Sequence, residues 1–271
     1  AVPDYLPSIW TNNFSLYTKY ITPNGGSIHF IGQSNISEEQ MIYSREVLAH
    51  YLTDFPGSQY GSDKSEVANT MAENNAQIII YNGHDGEFDV PEIDGQWLFE
   101  DEITVPGTVA YITNDYDEHR DATFEEVLHL VHDFGIGVSG FWPFVQKALP
   151  EYQEEIYSAM ENALPSSMGG NNLWGIEIKP GIMDWLEELE NEGSLSQEYL
   201  ASVIDSYYGL WGAFGQGMWG IYIASTREEI QELDPMGWAL LDKFFSPMLM
   251  FEARIDQSFM GTFKIHFDEN T

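Results

Sequence analysis

Apolar positions three and four apart begin at Met41 and Ile42 and continue through Val47, Leu48 and Leu52, behind the polar start Ser37-Glu38-Glu39-Gln40. This is the pattern of a capped amphipathic helix running towards Phe55-Pro56, with Ser37 as the cap. Ahead of it, Ser27–Gly32 (SIHFIG) reads as a short strand, preceded by the turn-rich Pro23-Asn24-Gly25-Gly26. A second helix is expected over 64–73. The run Gln77–Tyr81 (QIIIY), closed by Asn82-Gly83, reads as a buried strand. From 84 to 122 the periodicity dissolves into an acidic, loop-like stretch punctuated by Pro91 and Pro106, with a strand expected near 108–113. Helical spacing returns at 123–134. The remainder, 140–271, is mostly helical in pattern, broken by a Gly/Trp-rich stretch at 209–220 and ending in a β-like segment at 261–267. Strands and helices mixed in the first third, followed by a largely helical half, make an α+β chain. No internal repeat or low-complexity linker divides it.

Composition narrows the function classes. The 271 residues suit one large domain, or a small one leaning on a larger. With 43% apolar and 14% aromatic residues there is material for a packed core, which excludes disorder as a description of the whole chain. No apolar run approaches the ~20 residues of a membrane helix, so no membrane insertion is expected. Forty-four acidic residues against ten basic ones give a net charge of -34. That field repels phosphate backbones and anionic lipid, so nucleic acid is excluded as a partner. The same excess keeps a protein soluble in salt-rich or extracellular settings. The absence of cysteine excludes disulfides, thiolate metal sites, thiol nucleophiles and iron–sulfur clusters. The chain begins AVPDYLP without Met, as a mature exported protein does, so a secreted or periplasmic location is the expectation.

Of seven histidines only two are close together, in the segment T-F-E-E-V-L-H-L-V-H-D-F-G at 123–135. On a helix at about 100° per residue, Glu125, His129 and His132 fall within a ~60° arc, flanked by Glu126 and Asp133. Val127, Leu128, Leu130, Val131 and Phe134 take the opposite side. The plainest reading is a polar face that meets water. Two histidines one turn apart beside two glutamates also make a metal site. Imidazole and carboxylate are what zinc accepts when cysteine is absent, and a spacing of three or four lets two helical ligands reach one ion.

This segment resembles the H-E-x-x-H helix of zincin metallopeptidases with one change. Glu125 stands at the first histidine, Glu126 at the general-base glutamate and His129 at the second histidine. Downstream, S-Q-E-Y-L-A-S-V-I-D-S-Y-Y at 196–208 resembles the E-Y-x-A-E-x-x-x-x-Y/W-F helix of gluzincins related to the lethal-factor type. There the first glutamate supplies the third zinc ligand. Glu198 falls on it, while Ser202 replaces the second, supporting glutamate. The helix 37–55, the stretch 68–81 and Phe88-Asp89-Val90-Pro91-Glu92 look like the N-terminal portion of a family of secreted bacterial proteins with an H-E-F-A-H-x-I-H centre. His132 matches that family's extra histidine. The resemblance covers residues 37 to 210 and is concentrated in the two motifs.

The resemblance implies a zincin-like α+β fold in one domain: a small mixed sheet with helices over about 1–122, and a helical part carrying the site over about 123–271. It implies a zinc-dependent peptidase holding one ion, acting on a peptide or protein substrate, with Glu126 as general base. Metal ligands come from Glu125, His129, His132 and Glu198. A Glu/His/Glu set puts two negative charges on the ion, making it a poorer Lewis acid and raising the pKa of bound water. His129, His132 and Glu198 form the alternative set. Either leaves a fourth position for water, whose proton Glu126 can accept. Tyr207, Tyr208 and His119 are candidates for holding the oxyanion. The competing reading is a catalytically attenuated or inactive zincin-like scaffold, metal-bound but weakly active or without its metal, that acts as a binding protein.

Other features are weaker. Trp97 with Glu100-Asp101-Glu102, or Trp174 and Trp185 with Glu187-Glu188, would suit a carbohydrate-active protein, but paired acids arise by chance in so acidic a chain. Asn114-Asp115-Tyr116-Asp117-Glu118 looks superficially like a calcium loop without its glycine or its terminal bidentate glutamate, which leaves calcium as an opportunistic ligand only. His29 and His50 sit in apolar company and read as core histidines, His84 as a turn residue. The glycines of 209–217 lack the lysine and the strand-to-helix context of a phosphate loop. Oligomeric state has no signal in the sequence.

Overall fold

The computed structural model describes residues 1–84, 86, 90–106, 121–138, 146–176, 180–210 and 217–247. A short helix α1 (Ser8–Asn13) buries Trp10 and leads into β1 (Leu16–Ile21). β1 and β2 (Ser27–Gly32) form an antiparallel hairpin, paired from Leu16↔Gly32 to Ile21↔Ser27. The turn between them needs Gly25, whose φ of 87° is a left-handed conformation that costs glycine little. Helix α2 (Glu38–Leu52) starts as its sequence demands: the Ser37 hydroxyl accepts from Gln40 N, and Gln40 Oε1 accepts from Ser37 N. Helix α3 (Ser65–Glu73) follows, then β3 (Gln77–Tyr81) and β4 (Gln96–Phe99). β2, β3 and β4 run parallel, so the sheet is mixed, in the order β1-β2-β3-β4.

Beyond the sheet the described elements are helical: α4 (Thr123–Val131), α5 (Pro150–Ala163), α6 (Ile182–Glu192), α7 (Leu195–Tyr207), α8 (Arg227–Leu233) and α9 (Pro235–Phe244). Proline at the first position opens α5 and α9, where the missing N–H has no helical partner to lose. The α+β organisation expected from the pattern is therefore what the structure has. No helix among the described residues is long and apolar enough to cross a membrane.

Side-chain alternation divides the apolar residues of the sheet between two faces. Ile28, Phe30, Ile78, Ile80 and Leu98 join α2, α4, α7 and α9 in one cluster that reaches Phe245. Ile31, Ile79, Tyr81 and Phe99 face the other way, where Val2, Trp10, Phe14 and Ile93 cover them. Burial on both faces is why β3 is a continuous apolar run rather than an alternating one.

Four elements differ from the pattern reading. α1, β1 and β4 were not expected: β1 (LYTKYI) is half-buried along most of its length, and β4 is four residues inside an acidic stretch. The helix expected over 123–134 is α-helical only to Val131 and continues as a π-helical turn, His132–Ile136, closed by Gly137 N donating to His132 O at 2.7 Å. The strand near 108–113 and the β-like end at 261–267 lie outside the described residues.

Candidate metal centre

Helix α4 is buried on almost its whole circumference; of its nine residues only Glu126 is partly exposed. The apolar side, with Phe124, Val127, Leu128 and Val131, enters the main core. The polar side does not meet water, as the plainest reading had it, but packs towards α7 and β4. A helix buried all round must pair its polar groups with other protein groups or with a ligand.

Glu125 and His129 from α4 and the partly buried Glu198 from the first turn of α7 each offer a donor atom, and these atoms lie within 4.8 Å of one another. His129 Nε2 is 3.6 Å from Glu198 Oε1 and has no hydrogen-bond partner among the described residues. Two bonds of about 2.0–2.1 Å meeting at a tetrahedral ion hold their donor atoms about 3.3 Å apart. Drawing His129 and Glu198 together by a few tenths of an ångström is thus enough to seat an ion. The group can hold a metal ion: it supplies one nitrogen and carboxylate oxygens in a mostly desolvated setting.

Glu126 is next along the helix, its side chain 19% exposed, with Oε2 3.6 Å from His129 Nδ1. Gln96 on β4 donates from Nε2 to the same oxygen at 2.5 Å. The imidazole of His129 is therefore flanked by a carboxylate at each ring nitrogen. Burial alone pushes its pKa down, but Glu198, Glu126 and Glu125 together outweigh burial and raise it to about 10. Asp133 moves up to about 6, because burial disfavours its charge more than His129 and the Gln197 amide favour it.

His132, the alternative ligand, is not in this group. It stands where the chain leaves the α-helix for the π turn, is fully buried, and places Nε2 2.5 Å from Gln153 Oε1 on α5. Burial lowers its pKa to about 4, so the ring is neutral.

Ser202, one turn after Glu198 on α7, accepts from Trp174 Nε1 at 2.9 Å and donates to Glu198 O at 2.8 Å. The oxyanion candidates on α7 and at its end have other partners. Tyr207 lies under the Arg227 guanidinium, and the Tyr208 hydroxyl bonds His50 Nε2 and donates to Ser246 O. His119 lies outside the described residues, as does the calcium-loop segment 114–118. Trp174 is fully buried against Trp185 and Tyr199, which gives its face to the core rather than to a sugar. Trp97 donates from Nε1 to Ile93 O, while Glu100 and Glu102 accept from the backbone N–H groups of Gly83 and Phe99. Gln96, Gln153 and Gln197 had no signal in the sequence. Each acquires its part through a residue at least 21 positions away, and no local spacing carries such a contact. No protein-family model, curated protein or solved structure matches the chain.

Proposed function

We propose that the protein is a zinc-dependent peptidase of gluzincin type, with Glu125, His129 and Glu198 holding one ion, Glu126 as general base and a peptide or protein as substrate. The observation that carries this reading is the buried His129 Nε2, without a hydrogen-bond partner among the described residues and 3.6 Å from Glu198 Oε1, within a group completed by Glu125. A zincin-like fold is part of the reading. It is supported by the mixed sheet followed by helices and by the packing of the E-E-x-x-H helix against the later helix that carries Glu198. The acidic surface favours an exported protein.

A zinc ion held by Glu125, His129 and Glu198 would supply Lewis acidity to the carbonyl and would acidify a bound water. Glu126 accepts the proton of the attacking water and passes it to the leaving amine. Its partial exposure lets it reach both, while Gln96 and the His129 ring hold the carboxylate on the site side of the helix. Two anionic ligands make the ion less electrophilic than two imidazoles do, so slow turnover is expected.

A second reading is favoured by one observation. With a carboxylate 3.6 Å from each of its ring nitrogens, a protonated His129 fills the centre without any metal. The protein is then a scaffold that acts by binding. Elemental analysis of the dialysed protein separates the two. About one zinc per chain, lost in Glu198→Ala, supports the peptidase; no zinc taken up when it is offered supports the scaffold. In the first case Glu126→Gln is expected to lower peptide cleavage at least about 100-fold with the zinc content unchanged.

A further inference from the structure

Five polar side chains that the proposed chemistry does not use are each at least nine-tenths buried between α4, α5 and α7: His132, Asp133, Gln153, Ser196 and Gln197. They form one continuous set of hydrogen bonds. His132 Nε2 meets Gln153 Oε1 at 2.5 Å, Gln153 Nε2 donates to Ser196 Oγ at 3.2 Å, Ser196 Oγ donates to Gln197 Oε1 at 3.2 Å, and Gln197 Nε2 donates to Asp133 Oδ1 at 3.2 Å. The set starts and ends on consecutive residues of the π turn, so it closes into a ring.

The direction of the ring is determined. An ionised carboxylate only accepts, so Gln197 must present its amide N–H to Asp133 and its carbonyl to Ser196. Ser196 then donates to Gln197 and accepts from Gln153, which turns the Gln153 carbonyl to His132. The hydrogen of His132 is thereby assigned to Nε2, leaving Nδ1 as a bare lone pair, in keeping with its having no partner among the described residues. A buried polar ring satisfied head to tail is rigid, because turning one amide leaves two neighbours unpaired.

The ring touches the metal group through the backbone. Gln197 immediately precedes Glu198, and Asp133 lies one turn beyond His129. Ser194, the N-cap residue of α7, makes no side-chain capping hydrogen bond, so the cap does not fix this turn. We propose that His132, Gln153, Ser196, Gln197 and Asp133 are positioning residues that lock the first turn of α7 to the end of α4, holding Glu198 within a few tenths of an ångström of the separation from His129 that an ion requires. Metal–ligand distances tolerate errors of only about 0.2 Å, so a small slip of α7 along α4 is enough to spoil the site. The proposal rests on the metal reading above and concerns residues that do not touch the ion.

The test is the dissociation constant for zinc, measured by competition with a chromophoric chelator, together with the visible spectrum of the cobalt(II) form and the Tm of the metal-free protein. Gln197→Met and Gln153→Met keep the side-chain volume and remove the amide. Ser196→Ala is the mildest break and serves if either methionine variant fails to fold. Tyr222→Phe is the control, because it removes a buried hydrogen bond to Asp234 that does not belong to the ring. The expected result is that the ring variants bind zinc about 10- to 100-fold more weakly and alter the cobalt spectrum. Tyr222→Phe should lower Tm comparably and leave zinc binding within about twofold, far short of the loss that a positioning group produces. Unchanged zinc binding in the ring variants overturns the proposal while leaving the metal site standing, and so does an equal loss in Tyr222→Phe. A wild-type protein that takes up no zinc overturns both.

Discussion

At the level of single residues, the centre is a competition between a metal ion and a proton for His129. The two carboxylates that would share the ion, Glu198 and Glu125, together with Glu126, raise the imidazole pKa to about 10, so in the metal-free protein at pH 7 to 8 the ring is a cation. Seating a metal there must expel that proton. Calorimetric titration of zinc in buffers of different ionisation enthalpy is expected to show about one proton released per ion at pH 8, with apparent affinity rising about tenfold per pH unit. Binding without proton release would mean that His129 is not a ligand. The sequence disclosed Glu125, Glu126 and His129 because their relation is set by helical spacing. Glu198 required a second motif 69 residues on from His129, and the partner of His132 was not legible at all. An ideal helix assigns His132 to the same arc as Glu125 and His129, but the chain passes into a π turn at that residue and the ring goes to Gln153.

At the level of elements, legibility follows the distance in sequence over which an element is determined. Helix α2 could be placed from its own residues, because Ser37 and Gln40 cap it reciprocally. Ser37→Ala is expected to cost about 1 kcal/mol, as loss of a serine cap usually does. Gln40→Ala should cost more, about 2 kcal/mol, because Gln40 Nε2 also donates to Glu100 O and Ile103 O and so ties α2 to the turn after β4. Urea unfolding monitored by tryptophan fluorescence checks the order: equal midpoint shifts for the two variants would show that the ties to Glu100 and Ile103 contribute nothing. Strand β4 illustrates the opposite case. Its four residues have no pattern of their own and are held by pairing with β3, and Gln96 gains its part in the site only because that pairing sets β4 beside α4.

At the level of the whole molecule, burial of two bases with opposite surroundings makes stability depend on pH in a way that neither shows alone. Lys64 is almost fully buried, with Nζ donating to Tyr51 O at 2.8 Å and lying 4.3 Å from the centre of the Phe244 ring. Burial lowers its pKa to about 7 against the partial help of Asp54. Between pH 7 and its unfolded value of 10.5, the unfolded chain therefore holds more protons at this residue than the folded one, and stability rises with pH. His129 in the metal-free protein does the reverse. Its folded pKa is raised from 6.5 to about 10, so its contribution is complete below pH 6.5 and is lost as pH climbs through the folded value. Each slope is limited to about 1.4 kcal/mol per pH unit, and across pH 7.5 to 9.5 they oppose one another. With a chelator present, the wild-type protein is expected to unfold at nearly the same urea concentration throughout that range. Lys64→Met should expose the falling slope due to His129, and His129→Gln the rising slope due to Lys64. Slopes of the same sign in the two variants would show that one of these bases does not sit in the surroundings described. Zinc should remove the His129 slope from the wild type by replacing the proton, leaving a stability that rises with pH, and this change from a flat to a rising profile can be read without any knowledge of the substrate.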